Sequence, residues 1–231
     1  CRAGAAAIHF HVRESITGEW VQNVSYYKEV FRKTRAECDA LLWPTFPFGD
    51  NPIERFAHFV ELAKSPDTKP DMGWADPGSV NLVSYNAQTK QITGDDFIYK
   101  NSYQANRYFL EQSRKLGLRP TLQIFDPSFL RASLVFLDQG LIEEPLLLKF
   151  YFGGPELPFG LPPSVKSLEA YLDMVKGVRC NWFAATLGGD NLPFLNQVIS
   201  HGGHVRLGLE DHHYARDGQP TNPQLVERAV R

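Results

Sequence analysis

Seven short apolar, β-prone runs recur along this chain with helix-patterned segments between them, and that rhythm limits the possible folds more than any other feature. The runs cover residues 6–12, 40–45, 72–75, 121–125, 146–151, 182–187 and 204–209. Most follow one another at roughly 20 to 36 residues, room for a strand plus one crossover helix. The third gap is longer, and the polar stretch from Tyr85 to Asp96 reads as an excursion within it. In the segment 52–63, Ile53, Phe56, Phe59, Val60 and Ala63 recur at helical spacing and are predicted to share one face. A second helix is predicted over 164–175, after Pro162-Pro163 and before Gly177. Alternating strands and helices with apolar strands imply a parallel sheet.

Seven units, with one further strand expected before Cys1, predict a (β/α)8 TIM barrel. It is expected to be a single domain over 1–231, its first strand and a C-terminal segment lying outside the chain. A doubly wound open sheet is the alternative, but no G-x-G-x-x-G follows an early strand. The material for a core is ample, since 43% of the 231 residues are hydrophobic and 22% charged. A formal net charge of -2 argues against a protein that grips nucleic acid or anionic membrane by bulk electrostatics. No apolar run reaches the roughly 18 residues of a membrane span. Cys1, Cys38 and Cys180 are too few and too scattered for a disulfide framework or a thiolate zinc site, so a reducing, cytoplasmic setting is expected.

In such a barrel the chemistry sits at the carboxyl ends of the strands. The first run alternates, so His9, His11 and Arg13 share one face while Ile8, Phe10 and Val12 share the other. Two imidazoles with Cα atoms about 6–7 Å apart along a strand can chelate one metal ion. They can equally be hydrogen-bonded histidines in a polar barrel mouth. The last run places His204, Arg206, Gly208 and Glu210 on one predicted face, and an acidic pair such as Glu210-Asp211 ending a buried strand needs a cation or strong donors to meet it. Two histidines and a carboxylate with an open position describe a catalytic metal site, zinc being the expected ion. Other strand ends supply Thr45 and Asp76, and Gln123 lies within its strand. Asp126 reads either as a site residue or as a cap of the helix beginning at Pro127-Ser128. Gly153-Gly154 and Gly188-Gly189 read either as close approaches to a ligand or as tight βα turns. His58, His201, His212 and His213 read as solvated or structural, with His212 and His213 close enough in sequence to the last run to line the site.

Several blocks resemble one family. Ala3-Gly4-Ala5 with His9-Phe10-His11-Val12-Arg13, Lys69-Pro70-Asp71-Met72 with Gly78-Ser79-Val80-Asn81, Gly202-Gly203-His204-Val205-Arg206 with Gly208-Leu209-Glu210-Asp211, and the closing Asn222-Pro223-Gln224-Leu225-Val226 are similar to the β-keto acid cleavage enzymes. The resemblance spans essentially the whole chain. It implies a zinc-dependent (β/α)8 barrel that condenses a β-keto acid with acetyl-CoA, giving acetoacetate and a new acyl-CoA. It further implies His9, His11 and Glu210 as metal ligands, Arg206 and Asp211 as the proton-transfer pair, and Thr45, Asp76 and Gln123 as substrate-binding positions. Gln123 departs from the family pattern, standing where a glutamate is expected. An acyltransferase acting on small molecules, without nucleic acid or membrane partners and assembled as a homo-oligomer (dimer or tetramer), is the expected protein. Two other readings compete: a metal-dependent amidohydrolase, disfavoured because the runs 121–126 and 146–154 hold no histidine, and a non-catalytic metal-binding barrel.

Overall fold

The computed structural model describes residues 1–230. Each of the seven apolar runs forms a strand, and helices alternate with them. The chain divides into two compact units that interleave in sequence, Cys1–Ala75 with Gln104–Pro120, and Asp76–Tyr103 with Thr121–Arg231.

In the first unit, β1 (Ala7–Phe10) crosses through α1 (Val24–Glu37) to the parallel strand β2 (Leu41–Pro44), in register from Ala7 opposite Leu41 to Phe10 opposite Pro44. Asn23 starts α1 by accepting a hydrogen bond from the Ser25 backbone N–H. Ile8, Phe10 and Val12, predicted to share one face, pack with Tyr27, Phe31, Leu42 and Leu62. Then come α2 (Pro52–Leu62) and β3 (Met72–Ala75), which is tied to β2 by the Asp71 N–H donating to the Leu42 carbonyl at 2.9 Å. The predicted face of α2 needs correction. Ile53 is 61% exposed and Val60 is also exposed, whereas Arg55, Phe56, His58, Phe59 and Leu62 are buried. Phe46 sets that orientation, because it packs against both Phe56 and Phe59.

The cysteines also differ from expectation, since Cys1 and Cys38 form a disulfide with Cα atoms 6.3 Å apart. The return of the chain from α1 explains it: Leu41 N–H donates to Ala6 O, which brings the two sequence-distant segments side by side.

The second unit opens with the polar excursion, which is not a loop but two small antiparallel ladders. β4 (Val80–Asn81) pairs with β7 (Ile98–Tyr99), and between them β5 (Ser84–Asn86) pairs with β6 (Gln91–Thr93). Helix α3 (Tyr103–Lys115) follows, its residues from Gln104 onward belonging to the first unit. The parallel strands are β8 (Arg119–Ile124), β9 (Leu146–Gly153), β10 (Cys180–Leu187) and β11 (His204–Val205), each hydrogen-bonded to the next. The intervening helices are α4 (Pro127–Asp138), α5 (Val165–Met174) and α6 (Leu195–Ser200), and α7 (Asn222–Val230) closes the described chain.

Register aligns Gln123 on β8, Lys149 on β9 and Phe183 on β10. Phe150 and Phe152 point to the opposite face, where Phe150 stacks on Tyr171 of α5 with ring centroids 4.8 Å apart. Alternation then puts Lys149 and Tyr151 on the same side as Gln123. The last run forms a shorter strand than predicted. After Val205 the Arg206 N–H still donates to Ala184 O, and then the chain turns, with Asp211 N–H donating to Gly208 O. Glu210 therefore lies in a turn rather than on a strand face. Among the described residues, no helix is long and apolar enough to cross a membrane.

Candidate active site

In the first unit the two histidines of the H-x-H pair stand side by side. Their ring centroids are 5.3 Å apart, and the rings meet edge to face. Trp43 and Trp74 flank His9 at 5.5 and 5.4 Å, and Trp20 lies 5.4 Å from His11. Indole rings on these sides screen the imidazoles from water. Arg13 shares the predicted face but turns outward, where its guanidinium donates to Gly18 O.

Thr45 follows β2, is buried, and has its N–H donating to Phe10 O at 3.0 Å. Its carbonyl accepts a 2.8 Å hydrogen bond from His58 Nε2. His58, read from sequence as solvated or structural, is structural. Burial holds its pKa down to about 4, so it remains a neutral donor. His201 is held locally, its Nδ1 2.7 Å from Gln197 O.

The second unit carries the charged residues. Arg206 makes a two-pronged contact with Asp211, Nε to Oδ2 at 3.0 Å and Nη2 to Oδ1 at 2.8 Å. Glu210 Oε2 is 2.8 Å from the same Nη2, and Nη1 donates to the Tyr151 hydroxyl at 2.8 Å. Asp211 is buried while the Glu210 side chain is 44% exposed, so the two neighbours of the acidic pair have different environments. Burial pushes the Asp211 carboxyl up against the opposing pull of Arg206. Asp211 and Tyr151 in turn hold the guanidinium charged despite its burial.

Backbone packing fixes this arrangement. Gly188 N–H donates to Asp211 O at 2.9 Å, which pins the end of β10 to the acid's own peptide. A Cβ at Gly154 would sit 2.4 Å from Gly188 O, so the glycine pairs serve close approach of two backbones here. Asp126 is the cap of α4, its carboxylate accepting from Ser128 N–H at 2.9 Å.

Asp76 is buried, and the Tyr99 hydroxyl donates to its carboxylate. Gln123 is fully buried and turns its amide N–H groups back onto its own strand, to Thr121 O at 3.0 Å and Thr121 Oγ1 at 2.7 Å.

Two residues of this unit escaped the sequence reading. Lys149 is 1% exposed in the middle of β9, where burial and then repulsion by Arg206 push its pKa down to about 7. Glu210, Asp76 and Asp211 act on it in the opposite direction. Tyr151 is buried with its ring stacked on Phe125, centroids 4.6 Å apart. The signal for both was a single cation and a single phenol inside the otherwise apolar run Leu146 to Phe152.

The profile of the β-keto acid cleavage enzymes matches residues 1–231. The chain belongs to the β-keto acid cleavage enzyme family. Over 99% of its length this β-keto acid cleavage enzyme is 31% identical to a 3-dehydrocarnitine:acetyl-CoA trimethylamine transferase of Rhizobium meliloti, covering 77% of that protein. It is 27% identical to a 3-keto-5-aminohexanoate cleavage enzyme of Acetoanaerobium sticklandii, with the same two coverages. A 3-oxoadipate:acetyl-CoA acetyltransferase of Cupriavidus necator is 23% identical, over 99% of this chain and 74% of that protein. Among solved structures, apo ObcA superposes with a TM-score of 0.70 at 16% identity, over 98% of this chain. The binary complex of ObcA with oxaloacetate gives 0.67 at 16% identity, over 91%. The chain spans 57% and 54% of those two chains, and the likeness supports the α/β fold with its parallel sheet.

Proposed function

We propose that the chain transfers the acyl group of a β-keto acid to CoA, using acetyl-CoA and releasing acetoacetate, within a (β/α)8 barrel. Family membership over the whole described chain supports the reaction class. The single structural observation that carries the reading is the Arg206–Asp211 fork, which binds a buried carboxylate and a buried guanidinium through two parallel hydrogen bonds.

The reaction balances in four steps. A proton leaves the carbon between ketone and carboxylate. That carbon bonds to the acetyl carbonyl as the C–S bond breaks and CoA thiolate departs. The thiolate adds to the original ketone, and the C–C bond beside it breaks. The new acyl-CoA leaves, and acetoacetate takes back a proton. Arg206 stays protonated, since burial is outweighed by its anionic neighbours, so it is not the group that accepts the first proton. Asp211 is assigned that role, with Arg206 orienting it and stabilising the negative charge that develops on the substrate.

His9, His11 and Glu210 each offer one ligand atom, an imidazole nitrogen or a carboxylate oxygen. Two neutral imidazoles and one carboxylate suit zinc with positions left open, and the flanking indoles fit a partly dehydrated cation. Bound there, such an ion would supply Lewis-acid polarisation of the keto acid, making the carbon to be deprotonated more acidic. Thr45, Asp76 and Gln123 are assigned to the walls of the substrate site.

The test is to incubate the purified chain with acetyl-CoA and β-keto acids bearing cationic, neutral and anionic distal groups. Acetoacetate release together with a matching new CoA thioester supports the reading. Hydrolysis without CoA, or no conversion of any acid by metal-loaded protein, overturns it.

A further inference from the structure

Tyr151 lies on β9, far in sequence from Arg206, yet among the described residues it supplies the one uncharged hydrogen-bond partner of its guanidinium. An arginine side chain carries five N–H donors in a fixed plane. Nε–H and one Nη2–H go to the two oxygens of Asp211, Glu210 Oε2 forms an ion pair 2.8 Å from Nη2, and one Nη1–H goes to the Tyr151 hydroxyl. Among the described residues the other hydrogen of Nη1 meets no hydrogen-bond acceptor. Its direction follows from how the first is held.

The holder is itself immobilised. Tyr151 is 3% exposed, stacks on Phe125, and shares its face of the sheet with Gln123 and Lys149. Phe125 is packed in turn against Tyr99, Phe129 and Phe159. The phenol oxygen therefore has little freedom, and the Arg206 guanidinium carbon lies 5.5 Å from the centre of the same ring. Asp211 grips the rigid guanidinium at Nε and Nη2, and Tyr151 adds a third hold at Nη1 that keeps the plane from tilting about that fork and occupies one of the two Nη1 hydrogens.

We propose that Tyr151 is a positioning residue for the acyl-transfer reaction: by accepting from one Nη1–H of Arg206, it presents the other to a substrate oxygen that becomes anionic during carbon–carbon bond making and breaking. The inference rests on the reaction assigned above and on Arg206 facing the substrate. A hydrogen bond that matters only as charge develops lowers kcat when it is lost, with a small effect on KM.

The experiment compares wild type, Y151F, R206K and the double variant with acetyl-CoA and whichever β-keto acid the wild type converts. Phenylalanine keeps the ring stack and removes only the hydroxyl, so Y151F is expected to fold and to lose about 10-fold or more in kcat, with KM altered less than about 3-fold. In the R206K background, where no Nη1 exists, the same change is expected to cost nothing further. A kcat loss that repeats undiminished in R206K, or a Y151F enzyme with normal kcat, overturns the proposal.

A second measurement is independent of turnover. In protein labelled with 15N-arginine, wild type is expected to give a resolved, slowly exchanging Arg206 Nη1 signal that averages with solvent in Y151F. An unchanged signal in Y151F overturns the positioning role. If wild type converts no acid while this signal behaves as expected, the assigned reaction fails and the hydroxyl's hold on Nη1 stands.

Discussion

Arg206 and Asp211 are five residues apart, and the turn through Gly208 brings them together where a continued strand would have spread them along one face. The separate roles proposed for them follow from charge. The guanidinium cannot shed its proton beside four oxygen partners, while burial pushes the Asp211 carboxyl up, the direction a general base needs. D211N is therefore expected to reduce turnover by at least about 10³-fold while metal content, read by elemental analysis, stays at the wild-type level. Turnover within 10-fold of wild type in that variant would transfer the base role to another group. The pair was legible in the sequence because it falls in a recognisable block. Lys149 and Tyr151 were not, since one polar side chain in an apolar strand leaves the binary pattern intact and reveals its face only when the register to Gln123 and Phe183 is known.

At the scale of elements, the strands were readable because apolar runs bounded by helical segments leave few alternatives, and β1 shows it most clearly: Ile8 and Phe10 face α1 while His9 and His11 face away. Element ends were less readable. β11 stops at Val205 because hydrogen bonding to β10 gives way to a turn closed by Asp211, a long-range packing effect without a local residue signal. The β4 to β7 ladders hide in polar sequence for the same reason, being stabilised by pairing and not by an apolar stripe. Helix α4 is the opposite case, since Asp126-Pro127-Ser128 spells out its start. D126A is expected to lower stability by about 1 kcal/mol in chemical denaturation, with kcat on the best β-keto acid unchanged. A large kcat loss at unchanged stability would instead place Asp126 in the reaction.

Across the whole molecule, pH should act on stability through His58. Its folded pKa of about 4 lies below the ordinary 6.5 of an unfolded histidine, so the unfolded chain takes up a proton first as the solution is acidified. The contribution is complete above pH 6.5, shrinks as pH falls below it, and is lost by about pH 4, amounting to about 3 kcal/mol over that window. Urea midpoints measured from pH 7 to 4 should fall more steeply for wild type than for H58Q, and parallel curves would show that another group governs acid sensitivity. A different consequence follows from the indoles around the histidine pair. Trp20, Trp43 and Trp74 are three of the chain's four tryptophans, and all stand within ring contact of His9 or His11. The protein thus carries a built-in optical reporter of that locus. Adding cupric or cobaltous ion to the metal-free chain should quench most of its intrinsic emission in a saturable titration, zinc should compete the quenching away, and H9A should leave the light undimmed.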